Sequence, residues 1–200
     1  CALPISKMKE ILERQYKVIA DLSDAEQNNI ALESTSALWM DRVHKIAYSA
    51  LSLRSDTNLA QKWCDLMGYE YVPFNTRNHV GKPVYHTDVM MSVGTEFIIV
   101  CFECILEEDR ERVRAKITES GREIVEITMD QLREFCGNSL ELTARDGTKK
   151  LVMSGSAYRA YTDAQKKVFL KYVSEIIHTD LPTIQTYGGG AARCMILEMF

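Results

Sequence analysis

The 200-residue chain carries 24 Lys and Arg against 28 Asp and Glu, and 46% of its residues are hydrophobic. This length and composition allow one sizeable core, and the scattered basic residues make nucleic acid a poor partner. The sequence shows no signal peptide and no apolar run near the ~18 residues of a membrane span, and its six cysteines are few for a disulfide scaffold. It therefore predicts a cytoplasmic protein with reduced thiols and no membrane partner.

The first segment of the chain has the pattern of the end of a repeating unit. Apolar spacing predicts a helix over residues 5–15, and residues 16–22 (YKVIADL) are typical of a strand. We interpret residues 1–30 as the tail of a partial unit, with the rest of that unit expected before the chain begins.

Three units of one plan follow, each with two strands, a helix and a third strand (ββαβ). They occupy residues 31–76, 84–130 and 136–180. In chain order, the predicted elements are strands at 37–40 and 45–51, a helix at 57–67, a strand at 69–74, strands at 89–93 and 97–105, a helix at 108–119, a strand at 122–128, a hairpin turn at 146–147 and a helix up to residue 173.

Turn and cap signals divide these units. Gly68 and Gly121 follow the first two helices as stop signals. The Asp146-Gly147 pair is a strong hairpin signal. Thr162, with Gln165 three residues later, predicts a capping box at the start of the third helix.

The last segment, residues 188–200, is expected to add a single closing strand. Units that cannot bury their own faces must stack on their neighbours. The sequence therefore predicts an α/β fold of ββαβ repeats arranged radially, a propeller-like single domain over residues 1–200 that is incomplete at its N-terminus.

Chemically useful side chains stand where the units begin. They are Glu33, His86, Asn138 and Cys194. In a radial arrangement, equivalent positions meet near the axis, so we expect these side chains to converge. Cys194 follows three glycines at residues 188–190, whose missing Cβ atoms would let backbone approach a ligand closely. Asp88 lies two residues after His86, so both would face one side of a strand.

Three segments carry a resemblance to a known family. LESTSALWMDRVHKIAYSALS, VYHTDVMMSVGTEFIIVCFECI and GGGAARCMILEMF resemble the guanidine-modifying superfamily, the pentein fold of arginine deiminases, dimethylarginine dimethylaminohydrolases and amidinotransferases. The similarity covers about residues 5–200 and is nearest to the citrulline-utilisation hydrolase branch. The family has a further N-terminal portion, so the resemblance implies that this chain is a C-terminal portion.

The resemblance implies a cysteine-dependent hydrolase acting on a guanidino or ureido group of an arginine- or citrulline-like amino acid. Cys194 would be the nucleophile, His86 the general acid and base, and Glu33 a catalytic carboxylate that holds the guanidinium. The expected substrate ligands are Asp88, Asn138, Arg193 and Arg54. Carboxylates suit a planar guanidinium, and the arginines suit a substrate carboxylate. No metal or cofactor is expected.

The chain also departs from its relatives, which leaves other functions open. Where the nearest branch has Leu-Glu-Gly-Thr-Gly, this chain has LESTS, so that Ser34 and Ser36 would narrow or block the pocket. Asp88 replaces the Asn of that branch and favours a cationic substrate. The alternatives are a non-catalytic or incomplete pentein module and an amidinotransferase. Expected partners, besides the small-molecule substrate, are the missing N-terminal portion or a second copy of the chain.

Several residues also have an ordinary structural interpretation. Cys194 would then be an inert buried thiol, Asn138 a residue that ties a turn, and the arginines solvated charges. His44, His79 and His178 are expected in turns and loops, exposed to solvent. The Cys101 to Cys104 pair (CFEC) would lie in mid-strand with its thiols on opposite faces, which argues against a zinc or redox site.

Overall fold

A computed structural model describes residues 11–196, apart from the side chain of Ser34. The chain divides into two compact units, residues 1–30 and 31–200. In the first, residues 11–13 are helical and a 3-10 helix spans Ser23–Asn28. The predicted strand over residues 16–22 is wrong: this stretch is irregular and mostly exposed, and it pairs with no strand in the described part of the chain. The predicted helix over 5–15 lies in part outside the described residues.

The second unit contains three small sheets with one plan. In each, the first two strands are antiparallel and the third lies parallel beside the second. This mixed α/β architecture confirms the ββαβ plan of the three repeats. The strands are β1 Trp39–Asp41, β2 Ile46–Ala50, β3 Glu70–Phe74, β4 Met91–Val93, β5 Phe97–Val100, β6 Glu123–Glu126, β7 Leu140–Thr143, β8 Lys149–Ser154 and β9 Glu175–Thr179.

Helices connect the parallel strands of each sheet, because a parallel pair needs a crossover connection. The α-helices are α1 Ser34–Ala37, α2 Thr57–Met67, α3 Glu107–Glu119, α4 Met129–Arg133, α5 Gly155–Ala160 and α6 Asp163–Tyr172. The predicted bounds of α2 are confirmed. The Asp56 side chain caps its start, and Gly68, with φ 69°, ends it in the left-handed region. The Thr162–Gln165 capping box of α6 is also confirmed.

The region that follows residue 86 differs from the predicted strand. Strand β4 begins only at Met91, and a 3-10 turn spans Thr87–Val89. The turn forms because the Thr87 hydroxyl accepts a hydrogen bond from the Ala50 N–H (2.8 Å) and donates one to the Ala37 carbonyl (2.6 Å). The prediction that His86 and Asp88 share one face of a strand is therefore wrong.

Strand β5 is also shorter than predicted, since it ends at Val100 and Phe102–Cys104 form a 3-10 turn. CFEC is thus not in mid-strand. The Cys104 thiol donates to the Cys101 carbonyl (3.1 Å), and both residues are buried. Within residues 11–196, no three His, Cys, Asp or Glu side chains lie close enough together to hold a metal ion.

The predicted closing strand over 188–200 is not a strand where the structure describes it. Ile184–Gly188 form a π-helical turn and Arg193–Met195 a 3-10 turn, while residues 197–200 lie outside the described part. His178 lies in β9 and not in a loop, but it is exposed as expected, and it stacks on Tyr158 with 3.9 Å between ring centroids. None of the described helices is long and apolar enough to cross a bilayer.

The main core lies between the sheets and their helices. Its fully buried side chains include Tyr48, Phe74, Phe97, Phe102, Phe169, Met90, Met91, Ile98 and Ile99. Met90 and Met91 directly follow the 3-10 turn at Thr87–Val89, so the turn is fixed to the core on its C-terminal side. This attachment holds the polar residues of the turn at a defined position.

Candidate active site

Cys194 lies in the 3-10 turn Arg193–Met195 and contacts two polar side chains. Its Sγ accepts a hydrogen bond from Asn138 Nδ2 (3.1 Å), and its thiol faces Asp88 Oδ2 (3.5 Å). The four other cysteines in the described part of the chain are buried, whereas Cys194 is exposed. The structure therefore brings together one accessible thiol, one amide and one carboxylate.

The glycines before Cys194 make room for the cysteine itself. A Cβ at Gly190 would lie 2.8 Å from Cys194 Sγ, which is closer than real Cβ contacts. Gly189 has φ 69°, in the left-handed region that side chains disfavour. The Tyr85 hydroxyl donates a hydrogen bond to the Gly189 carbonyl, which ties the glycine segment to the residue before His86.

Asn138 reaches Cys194 because the chain packs very closely at Gly137. A Cβ at Gly137 would lie 2.3 Å from the Val89 carbonyl oxygen, so only glycine allows this contact. Asn138 is fully buried, and its Nδ2 also donates to the Asp88 carbonyl (2.9 Å). Its Oδ1 accepts from the backbone N–H groups of Ala191 (3.1 Å) and Cys194 (3.4 Å).

His86 forms its strongest contact with Glu33. His86 Nε2–H donates to Glu33 Oε2 over 2.7 Å, and the same oxygen lies 3.4 Å from Arg54 Nη1. Glu33 precedes helix α1, and its side chain is 44% exposed. Because Nε2 is bound to the carboxylate, Nδ1 is the ring nitrogen that can exchange a proton with another group.

The carboxyl group of Asp88 is buried without full compensation. Burial raises its pKa, although the charges of His86 and Arg193 and the nearby Ser36 hydroxyl act in the opposite direction. Its Oδ1 has no hydrogen-bond partner among the described side chains. A buried carboxylate of this kind gains stability from a cation placed beside it.

The pKa of the Cys194 thiol is also raised, first by burial and then by the negative charge of Asp88. Hydrogen bonds from the Ala191 N–H and the Asn138 amide act in the opposite direction. In the unliganded protein the thiol is therefore mainly neutral at pH 7, and a positive charge near Asp88 would favour the thiolate.

The two arginines predicted as substrate ligands make their own contacts beside this set, although the charge of Arg193 acts on Asp88. Arg193 is 2% exposed, its guanidinium stacks on Trp39 at 4.5 Å, and its Nη1 donates to the Ile196 carbonyl. Arg54 is half exposed, lies over the Tyr85 ring and contacts Glu33. Asn138, in contrast, belongs to the contact set through its hydrogen bond to Cys194 Sγ.

Three contributors to the site were missed from the sequence: Tyr85, Thr87 and Gly137. Tyr85 and Thr87 flank His86, so a search of the residues next to each unit start would have found them. Gly137 stands beside Asn138 in the same way. Their effect depends on contacts between distant segments, which no local pattern reveals.

A second polar cluster, formed by Asp41, His44 and Arg122, joins the first two sheets. Arg122 donates to both carboxylate oxygens of Asp41, and His44 Nδ1 lies 2.8 Å from Asp41 Oδ2. Burial alone would raise the pKa of Asp41, but hydrogen bonds from His44 and Arg122 hold it below its usual value. His44 lies in an exposed turn, as predicted, but its ring is also bound to this buried cluster. Arg122 also lines a cavity of about 210 Å³ with Arg193 and Glu141.

Solved structures of low sequence identity share this fold. The N-terminal domain of ArgZ, an arginine dihydrolase of cyanobacteria solved with substrate, is 16% identical with a TM-score of 0.69, over 92% of this chain and 61% of that one. A variant of the same domain, covalently bound to a reaction intermediate, matches with 16% identity and a TM-score of 0.67, over 92% and 60%. AgrE in complex with ornithine and NAD+ matches with 16% identity and a TM-score of 0.72, over 94% and 25%.

The chain thus spans less than two thirds of these relatives. A comparison with curated proteins gives no match. Residues 5–200 match the model of the family described as N,N dimethylarginine dimethylhydrolase, eukaryotic. The expected membership of the guanidine-modifying superfamily is confirmed, while the citrulline-utilisation branch stays a prediction. By this match over nearly its whole length, the chain belongs to the N,N dimethylarginine dimethylhydrolase family.

Proposed function

We propose that the protein is a C–N hydrolase that acts on the guanidino group of an arginine-like amino acid and uses Cys194 as its nucleophile. One observation carries the proposal: the accessible Cys194 thiol lies 3.5 Å from the buried, undercompensated carboxylate of Asp88. A guanidinium bound to Asp88 would bring its central carbon close to Sγ and neutralise the buried charge.

The reaction would proceed in two stages. The Cys194 thiolate attacks the central guanidinium carbon, a C–S bond forms, and the C–N bond to the leaving amine breaks as His86 donates a proton to that amine. His86 then takes a proton from water, whose oxygen attacks the same carbon. The C–S bond breaks, the second proton of the attacking water passes through solvent to the released amine, and the products are a ureido compound and the released thiolate. Glu33 orients His86 and is available to the guanidinium.

The charge of the substrate is expected to activate the thiol. The unliganded thiol has a raised pKa because of burial and the Asp88 charge. A guanidinium placed between Asp88 and Cys194 opposes the second of these causes. A cationic guanidino substrate is therefore favoured over a neutral ureido one, which has no charge to contribute.

Turnover assays test this proposal. Arginine and its N-methylated forms are incubated with the protein, and the ureido product and the released amine are measured together. We expect equal amounts of both with the wild type and none with Cys194→Ser. Cys64→Ala is the matched control, since Cys64 belongs to a separate buried cluster. Turnover that persists in Cys194→Ser would refute the assignment of the nucleophile.

A second candidate function is that of a non-catalytic pentein module. One observation favours it: within residues 11–196, His86 is hydrogen-bonded to Glu33 and not to Cys194. Labelling with a haloacetamidine at pH 7 separates the two functions. Fast labelling of Cys194 that slows in His86→Ala supports the hydrolase, and slow labelling in both supports the module.

Three expectations remain proposals beside the function. The ββαβ units would be arranged radially in one domain, which is supported by β4 lying next to both β1 and β7. The acceptor would be water, although an amine would make the protein an amidinotransferase. A second copy of the chain stays a predicted partner, which mass measurements in solution would test.

A further inference from the structure

We propose that Asn138 is a positioning residue for Cys194: its amide holds the cysteine turn in place and donates the hydrogen bond that the thiolate accepts. The inference rests on the proposed role of Cys194 as nucleophile. It replaces the expectation that Asn138 binds substrate, because the contacts of its carboxamide are already directed at the protein.

The carboxamide has one possible orientation. Its Oδ1 accepts from two backbone N–H groups, at Ala191 (3.1 Å) and Cys194 (3.4 Å). Its Nδ2 donates to the Asp88 carbonyl (2.9 Å) and to Cys194 Sγ (3.1 Å). A flip of the amide would direct Nδ2 at two N–H donors and Oδ1 at a carbonyl oxygen, so the flipped form loses these bonds.

The position of Asn138 is itself fixed by packing. Gly137 lies against the backbone of Val89 and Met90, with no room for a Cβ. Asn138 is fully buried, so water does not compete for its amide. Nδ2 is therefore held at hydrogen-bond distance from Sγ before any ligand arrives, and the donor needs no reorganisation when the thiolate forms.

The charged groups around Sγ show why such a donor matters. Asp88 faces Sγ directly and disfavours the thiolate, and the Tyr85 hydroxyl is bound to the Gly189 carbonyl. His86 directly precedes the turn that carries Asp88 and is bonded to Glu33, and the Arg193 guanidinium is directed at Trp39. The Asn138 amide and the Ala191 N–H thus supply the hydrogen bonds that favour the thiolate.

The pH dependence of Cys194 alkylation tests the inference. Iodoacetamide labelling followed by peptide mapping gives the pKa of Cys194 without turnover, so the result is independent of whether the protein proves to be a hydrolase. In Asn138→Ala we expect this pKa to rise by about one unit, with about tenfold slower labelling at pH 7. Asn138→Asp places a carboxylate beside Sγ, so the pKa of Cys194 should rise further than in Asn138→Ala.

A purely structural role predicts the opposite direction. A loosened turn would expose the thiol to water, relieve its desolvation and lower its pKa towards the ordinary value. An unchanged or lowered pKa of Cys194 in either folded variant would therefore overturn the inference. Asn75→Ala is the matched control, because Asn75 is exposed and bonded to Asp109.

The wild type provides a readout that does not depend on the folding of a variant. The side-chain amide resonances of Asn138 are followed by NMR while pH is raised through the alkylation midpoint of Cys194. We expect them to shift with that same midpoint, because the acceptor of Nδ2 changes from a thiol to a thiolate. Resonances that do not respond would overturn the inference.

Discussion

Asp41 and Asp88 are both fully buried carboxylates in polar clusters, yet their surroundings differ. Asp41 receives hydrogen bonds from His44 and, on both oxygens, from Arg122, and together these hold its pKa below the usual value despite its burial. Asp88 has one oxygen without a partner in the described structure, and burial raises its pKa. A compensated carboxylate joins two sheets, whereas an undercompensated one beside a thiol is suited to a ligand.

Replacing each aspartate by asparagine tests this difference most directly. In Asp88→Asn we expect kcat/KM for a guanidino substrate to fall by about 10²–10³-fold, because the carboxylate that faces the guanidinium is lost. The free energy of unfolding in urea should not fall, since no compensated charge is removed. Activity within tenfold of the wild type would contradict the role given to Asp88.

Asp41→Asn should have the reverse effect. It leaves the buried Arg122 without its carboxylate, so we expect the free energy of unfolding to fall by about 3 kcal/mol. The kcat/KM of the folded fraction should change little. Urea unfolding and assays below the transition measure both quantities. A loss of stability smaller than about 1 kcal/mol would show that Asp41 is not the structural link described above.

The pH dependence of stability separates the two carboxylates further. The pKa of Asp88 is raised on folding, so Asp88 lowers stability fully above its folded pKa; this cost decreases as pH falls below that value and is gone below the unfolded value near ~3.9. The pKa of Asp41 is lowered, so its contribution is present above the unfolded value near ~3.9 and is lost as pH falls below it.

Unfolding free energies of the wild type and both Asp→Asn variants at a series of pH values measure this difference. The difference between wild type and Asp88→Asn should close at a higher pH than the difference between wild type and Asp41→Asn, and the two should have opposite signs. Equal signs would show that the two carboxylates are compensated alike.

Arg54 forms an exposed ion pair, in contrast to the buried pair of Arg122. Of the substitutions considered, Arg54→Ala should change stability least. The Arg54–Glu33 pair is about half exposed, so Arg54→Ala should change the free energy of unfolding by less than about 0.5 kcal/mol. If Arg54 binds a substrate carboxylate, KM for arginine should rise while KM for a decarboxylated guanidino amine stays unchanged. Equal changes for both substrates would exclude that role.

Local signals predicted the parts of the fold that local physics decides. The bounds of α2 follow from Asp56 and Gly68, and the start of α6 from Thr162 and Gln165. The helix α4 carries the same kind of capping box, at Thr128 and Gln131, and was missed because it has only five residues. Short helices show too little periodicity to be separated from loops.

Contacts between distant segments decided the rest. The 3-10 turn that carries Asp88 depends on Thr87 bonding to Ala50 and Ala37, which the sequence of the turn does not reveal. The meeting of Asn138 with Cys194 followed correctly from the register of the repeats. The need for glycine at position 190 could not be predicted from the repeats. The atom that would clash with a Cβ there is Sγ of Cys194, four residues later.

The sheets and the candidate site also differ in the sequence separation of the residues that contact each other. Each sheet closes within one repeat, so its pairs form between neighbouring segments. The contacts of Cys194 join residues 56 and 106 positions apart, and they require all three repeats to be in place. Because such long-range contacts carry the largest loop-closure cost, they are expected to form late during folding. The raised pKa of the Cys194 thiol is therefore a marker of complete folding. In a partly folded chain, Cys194 would be exposed to water and would have the ordinary pKa of a cysteine.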